Sequence, residues 1–425
     1  MNLNKNDNLG FWSSASLVVG NMIGSGIFLL PASLALYGLV SILGWLFASI
    51  GAILLAIVFG ELSKIYNKEP GGPYKFTRNV FGEFPAFLVA WGYWISIWST
   101  NTAIVVAFLG YLSVFIPSLN TSPLYSIIIG LFTIWTLTWI NSKEIKTIGF
   151  VQKITVVLKV IPIILVGIIG IFFIDLNNFY SLEIGNEFNF NSITVTTTLT
   201  FFAFLGMESA TIPSDKIKKP NSIIKKATLY GTIFTIIIYI LSSISIMGII
   251  PPTTLAQSSA PFADAAEVIA GDYSRKVIAL GAIIATIGAL NGWILIQGQI
   301  PMAASKDKLF PRFFSKTNNN KSPVFGIILS SLLISILLLF SYSKTLVEAF
   351  TFMIKLSTLS VITPYLFSTA SLAVLSKRKF NRLFISFLAF IFSIWIIIGC
   401  GIETIKLGMI MLIAGIPFYF WFKRK

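Results

Sequence analysis

The chain has no histidine among its 425 residues, a single cysteine, Cys400, and only 16 acidic residues. Without imidazole or clustered thiols there is little from which to build a metal centre, a histidine-based acid–base pair or an activated nucleophile, so neither a metal nor another cofactor is expected, nor an enzyme. One thiol forms no internal disulfide. Charge is scarce as well. Only 11% of residues are charged, where soluble domains carry about a quarter. By contrast 56% are hydrophobic and the mean hydropathy is +0.86, which excludes an ordinary water-soluble domain and a disordered chain. The 31 Lys and Arg give a net charge of +15, and their placement decides whether they serve nucleic acid or mark one side of a membrane.

A bilayer core about 30 Å thick takes about 20 apolar residues per helix. Segments of that kind run over 11–37, 40–65, 85–116, 124–141, 150–174, 192–213, 226–249, 275–303, 324–341, 347–374, 383–401 and 405–422. They describe an all-α integral membrane protein of about twelve transmembrane helices, one transport domain over 1–425. The first segment lacks a cleavage site after a short apolar stretch and is expected to remain in the mature chain.

With the N-terminus inside, the basic residues gather on one side: Lys64, Lys68, Lys75 and Arg78, then Lys143 and Lys146, then Lys216, Lys218, Lys219, Lys225 and Lys226. Lys306, Lys308, Arg312, Lys316 and Lys321 continue the pattern, followed by Lys377, Arg378, Lys379 and Arg382 and the tail Lys423-Arg424-Lys425. The opposite loops hold only Arg275, Lys276, Lys344 and Lys406, and the outer stretch Asp175 to Phe190 is acidic, with Glu183 and Glu187. Positive loops stay inside, so both termini are expected in the cytoplasm, the membrane being a bacterial cytoplasmic (inner) membrane. The positive charge thus reads as orientation, and no nucleic acid partner is expected.

Two spans break the rule that a membrane helix is continuous and apolar. Gly20-Asn21-Met22-Ile23-Gly24-Ser25-Gly26-Ile27-Phe28 interrupts the first, and Phe201-Phe202-Ala203-Phe204-Leu205-Gly206-Met207-Glu208-Ser209 the sixth. Each opens a set of five spans, 11–174 and 192–374, leaving 383–422 as two further helices. Glycine notches for helix packing would explain either break alone. Both in register point to a transporter site, where half-helix ends and unwound carbonyls hold a charged guest.

These segments, with Pro70-Gly71-Gly72-Pro73-Tyr74, the stretch Phe204 to Ala210 followed by Lys219-Pro220, Asn291-Gly292-Trp293 and Leu309-Phe310-Pro311, resemble the amino acid-polyamine-organocation superfamily. Within it the chain is most similar to the basic amino acid/polyamine antiporters, such as the arginine/agmatine and putrescine/ornithine exchangers. The resemblance implies the leucine-transporter fold, two inverted five-helix repeats with helices 1 and 6 broken, and alternating access to a central site.

It also implies a site. Ile23, Ser25 and Gly26 would receive a substrate carboxylate, and the carbonyls of Phe202, Ala203 and Leu205 an ammonium, in keeping with amides that favour anions and carbonyls that favour cations. Trp293 matches a tryptophan that stacks on a cationic substrate group, an attraction of about 2 kcal/mol when desolvated. Phe202 stands where the arginine/agmatine exchanger has a second tryptophan, a departure that weakens the case for arginine. Ser96, Asn101, Ile104 and Ser357 map to the side-chain pocket, Asn101 being equally suited to an interhelical hydrogen bond. Tyr93, Glu208 and Tyr365 match gate residues.

Glu208 is also a candidate proton carrier, because an acid at mid-depth needs a partner or a proton. Lys159 is another. It lies about nine residues, roughly 14 Å, inside the fifth span, beyond easy snorkelling. Val151-Gln152 with Lys159 resembles the sodium-independent branches of the superfamily, which implies that this ammonium bridges to the broken first helix. Lys355 precedes Ser357 by two residues and follows Glu348 by seven. Facing inward it would favour neutral or anionic substrates; facing outward, to Glu348 or lipid phosphate, it would leave cationic ones open. Glu61, Lys64 and Lys153 read as interfacial charges.

The expected function is secondary active transport: exchange of an amino acid for a related amino acid or amine. Proton-coupled uptake of neutral or cationic amino acids is the alternative. The expected partners are a small amino acid or amine, protons and the lipid bilayer; oligomeric state, a homodimer included, is left open.

Overall fold

The computed structural model describes the chain apart from residues 1–8, 25, 67–68, 70, 144–147, 180–188, 213, 215–216, 321, 342, 377–378 and 424–425, and describes 148–158 and 422 by backbone alone. Ser25, Lys68, Lys146, Lys216, Lys321, Lys377, Arg378, Glu183 and Glu187, all named above, lie outside the described residues, as do the side chains of Val151, Gln152 and Lys153.

Among the described residues there is no strand, only an isolated parallel bridge between Leu9 and Ile217. The first span is divided into α1 (Phe11–Met22) and α2 (Gly26–Leu34). There follow α3 (Val40–Ile65), α4 (Pro73–Phe81), α5 (Glu83–Leu112), α6 (Ser118–Thr121), α7 (Pro123–Lys143) and α8 (Ile148–Gly170). The second half comprises α9 (Phe190–Phe201), α10 (Pro220–Ile249), α11 (Pro252–Gln257), α12 (Pro261–Ala270), α13 (Asp272–Lys306), α14 (Val324–Phe340), α15 (Leu346–Leu375), α16 (Phe380–Gly399) and α17 (Ile402–Lys423). Among the described residues ten helical segments are long and apolar enough to cross a membrane, and two shorter apolar helices, Lys159–Phe173 and Val324–Phe340, accompany them.

Local chemistry sets the starts. Proline opens α4, α7, α10, α11 and α12, at the one helical position where its missing N–H costs nothing. The span expected from 226 therefore begins at Pro220, one turn and a half earlier. A capping box holds α15: the Thr345 side chain accepts from the Glu348 amide at 3.2 Å while Glu348 accepts from the Thr345 amide at 2.9 Å. The short helices α4, α6, α11 and α12 lie in connections that the sequence reading left as loops.

Polar side chains fasten the spans to one another, as expected where the apolar effect between helices is weak. Trp45 donates to Ser243 at 3.0 Å, Thr200 to the Gly44 carbonyl at 3.0 Å and Trp94 to Ser330 at 2.8 Å. The span α5 is enclosed along most of its length and packs against α13 and α15. Large apolar side chains such as Phe132 and Phe380, 73% and 78% exposed, face outward, a surface suited to lipid.

The connections sort onto two faces. On one, Tyr74 meets Asp307, Asn318 meets the Ser142 carbonyl, Glu61 meets Lys225 and Arg382, Glu83 meets Lys423, and Leu9 pairs with Ile217. All these residues belong to the termini, the connections that the positive charges mark or the helix ends that adjoin them. On the other, the Asp175 amide donates to Gly248 and Ser113 meets Ser259.

Candidate functional site

The two interruptions meet at the centre of the molecule. At the first, Ile23 leaves helical geometry with ψ 85° and the Gly24 amide bonds back to the Met22 carbonyl at 2.9 Å. Such a stop strands the last carbonyls of α1, and two long side chains take them up. The Tyr239 hydroxyl donates to the Met22 carbonyl at 2.7 Å, and the Lys159 ammonium to that of Gly20 at 3.3 Å. Lys159 therefore does reach from the fifth span to the broken helix.

At the second interruption α9 tightens into a 3-10 turn over Phe202–Phe204, Leu205 is extended, and Gly206 takes φ 100° before a second 3-10 turn over Met207–Thr211. That φ favours glycine. The breaks also interlock. A Cβ on Gly206 would lie 3.1 Å from Asn21 Cβ, and one on Gly26 would lie 3.1 Å from Ala203 Cα, so each glycine lets one broken backbone approach the other.

Between them is a small cavity of about 20 Å³, room for roughly one water and far below the ~300 Å³ of an ordinary small-molecule site. Nine residues singled out from the sequence line it: Gly26, Tyr93, Ser96, Ile104, Phe202, Ala203, Leu205, Glu208 and Trp293. Glu208 accepts from the Tyr93 hydroxyl through Oε1 and from the Tyr365 hydroxyl through Oε2, both at 2.7 Å. One carboxyl from the second break thus joins α5 to α15. Tyr365 lies behind this latch and does not line the cavity.

Ile23, Asn101, Ser357 and Lys159 also stand off the cavity. Asn101 turns its Nδ2 to Gln297 Oε1 at 2.6 Å, and Gln297 passes the chain on to Ser331 at 2.9 Å. Ser357 donates to the Ser96 carbonyl at 3.0 Å and shares a 2.6 Å bond with Thr100. Thr100, Asn21 and Ile97, which were not singled out as site residues, do line the cavity. Their signal was weak: Thr100 adjoins Asn101, and only the rotational setting of α5 tells the two apart. Among the described residues no three His, Cys, Asp or Glu side chains converge as metal ligands.

The family model described as amino acid permease matches residues 9–420. The chain belongs to the amino acid permease family. It is 31% identical to the putrescine transporter PotE of Haemophilus influenzae over 98% of this chain and 97% of that relative. It is also 31% identical to an arginine/agmatine antiporter of Chlamydia felis, covering 97% and 89% of the two chains, and 28% identical to an arginine/ornithine antiporter of Pseudomonas aeruginosa, covering 94% and 88%.

On the basic face of this permease the route from the latch is filled. Gly71 donates from its amide to the Ile212 carbonyl at 3.1 Å, and a Cβ on Gly72 would meet Thr211 Oγ1 at 2.7 Å, so the Gly71-Gly72-Pro73-Tyr74 turn lies directly against the second break. Asp307 gathers Tyr74 at 3.2 Å, Lys75 at 3.5 Å and Arg78 at 3.5 Å. Burial, with the Asp307 carboxylate beside it, holds the Tyr74 phenol well above its ordinary range, so it remains a donor at physiological pH. The opposite face holds an open vestibule of about 1130 Å³, bordered by α2, α11, α15 and the start of α17. Lys355 lines this vestibule, together with Glu348, and not the central cavity.

Proposed function

We infer that this permease is an antiporter that exchanges an amino acid for a related amino acid or amine by alternating access, with no covalent step. The observation that carries the reading is the cavity framed by both broken helices, closed by the Glu208 latch on the basic side and facing a vestibule on the other. An amino acid must find partners for its two charges before it can leave water. Here Gly26 and its neighbours are assigned to the carboxylate, the Phe202, Ala203 and Leu205 carbonyls to the ammonium, and Ile104, Ser96 and Trp293 to the side chain. The named activities of the relatives support exchange over symport. The basic face is assigned to the cytoplasm of a bacterial inner membrane, and residues 11–174 and 192–374 to two inverted repeats.

Since the cavity has room for roughly one water, binding an amino acid there requires the two breaks to part. Counterflow in proteoliposomes tests the reading: preloaded unlabelled ornithine, arginine or agmatine should drive uptake of labelled arginine or ornithine, and empty vesicles should take up little. Equal uptake without internal substrate would refute exchange.

Lys159 supports the second reading, proton-coupled uptake, because its ammonium sits against a carbonyl of the broken helix and deprotonation would weaken that contact from a charge-assisted to a neutral hydrogen bond. Uptake by Lys159→Ala that keeps the wild-type pH dependence would remove this reading.

A further inference from the structure

One charge in the vestibule is left uncompensated. Lys355 projects from α15 into the recess, half-buried, and among the described residues its Nζ makes no ion pair and no hydrogen bond. Two acids border the same space. Glu348 is exposed and committed to capping its own helix, seven residues and about 10 Å of helix away from Lys355. Glu403, also exposed, stands in the first turn of α17. The acids therefore sit at the mouth and the ammonium deeper. Two residues further along α15, on the opposite face of the helix, Ser357 bonds to Thr100, which lines the central cavity, so α15 presents the ammonium to the vestibule and the hydroxyl toward the cavity wall.

The sign and depth of these charges sort what enters. An amino acid carries a carboxylate and is drawn to Lys355 by that end while its amine end remains near Glu348 and Glu403. A diamine has only cationic ends and meets repulsion at the same point. Charges in a recess are screened less than on an open surface, where attraction fades over about 10 Å in 0.1 M salt. We propose that Lys355 is a transit site for the substrate carboxylate, which admits amino acids in preference to their decarboxylated amines and turns them carboxylate-first toward the two breaks. The inference rests on the exchanger reading.

Its test compares an amino acid with its own decarboxylation product, ornithine with putrescine and arginine with agmatine, added to the vestibule face of right-side-out vesicles. Lys355→Met keeps the length of the side chain and removes the charge; Lys355→Arg keeps the charge. For Lys355→Met the KM for the amino acid should rise about 5-fold and that for the amine should fall, with the saturated exchange rate unchanged, as for a charge that guides encounter. Lys355→Arg should keep the wild-type ratio of the two KM values. High salt should flatten the wild-type ratio and leave that of Lys355→Met where it was. An unchanged ratio in Lys355→Met overturns the inference while the exchanger reading stands. If the wild-type protein moves neither member of either pair, the exchanger reading falls and this inference with it.

Discussion

The two faces of the permease are closed to different degrees. Toward the basic loops the broken helices are sealed in layers: the Glu208 carboxyl between two tyrosines, a glycine turn pressed on Thr211, and Asp307 with its three partners. Toward the other face lies an open space of about 1130 Å³. Closure on the basic side depends on several hydrogen bonds and ion pairs that can be broken one at a time, whereas at the vestibule Ser33 of α2 meets Thr351 of α15 at 2.8 Å and Phe202 stands edge-on to Phe350 at 6.2 Å.

The sharpest way to break this contrast is at the junction both faces share. Gly206→Val places a branched side chain at φ 100° against Asn21, a conformation that costs about 1–2 kcal/mol before any overlap. Exchange in vesicles should be lost altogether and the melting temperature lowered. The latch comes next. Tyr365→Phe removes one bond to the Glu208 carboxyl and leaves a buried oxygen unpaired, a loss of about 1–3 kcal/mol, so the population open on the basic side should rise about 10-fold. Thiol labelling of Thr211→Cys from the basic side, in a Cys400→Ser background, measures it. Asp307→Asn should raise the same labelling only a few-fold, because its partly exposed ion pairs are each worth about 0–1 kcal/mol. A larger effect from Asp307→Asn than from Tyr365→Phe would place the main seal in the surface layer and reverse the ranking.

Much of this geometry was legible in the residues. Long apolar segments and the sidedness of Lys and Arg are compositional, and glycine beside a polar residue at mid-span marks a break wherever it falls. The first interruption opens at Ile23, within the stretch read as broken, and the second covers 202–211, running two residues past Ser209. Rotational details were not legible. Thr100 and Asn101 are neighbours on α5, and about 100° of helical turn puts the threonine on the cavity and the asparagine on Gln297. Ser357 was read as a pocket residue, yet it faces the helix pair behind the wall, because its hydroxyl is better served by the Ser96 carbonyl. Tyr239, which satisfies the first break, gave no signal at all, since a tyrosine in an apolar span looks the same whether its hydroxyl meets a broken helix or lipid headgroups. The direction of Lys355 was left open for the same reason, because one residue's charge does not reveal which way its helix is turned.

The most direct measurement is equilibrium binding of arginine, ornithine and putrescine to purified protein, by thermal shift or calorimetry, for wild-type, Gly26→Val and Ile104→Trp. Each variant fills the space between the two breaks from a different wall and leaves the vestibule untouched. The expected result is stabilisation of the wild-type protein by at least one of these compounds and its loss in both folded variants. Undiminished binding by both variants would contradict a central site between the interrupted helices and move the site elsewhere in the permease.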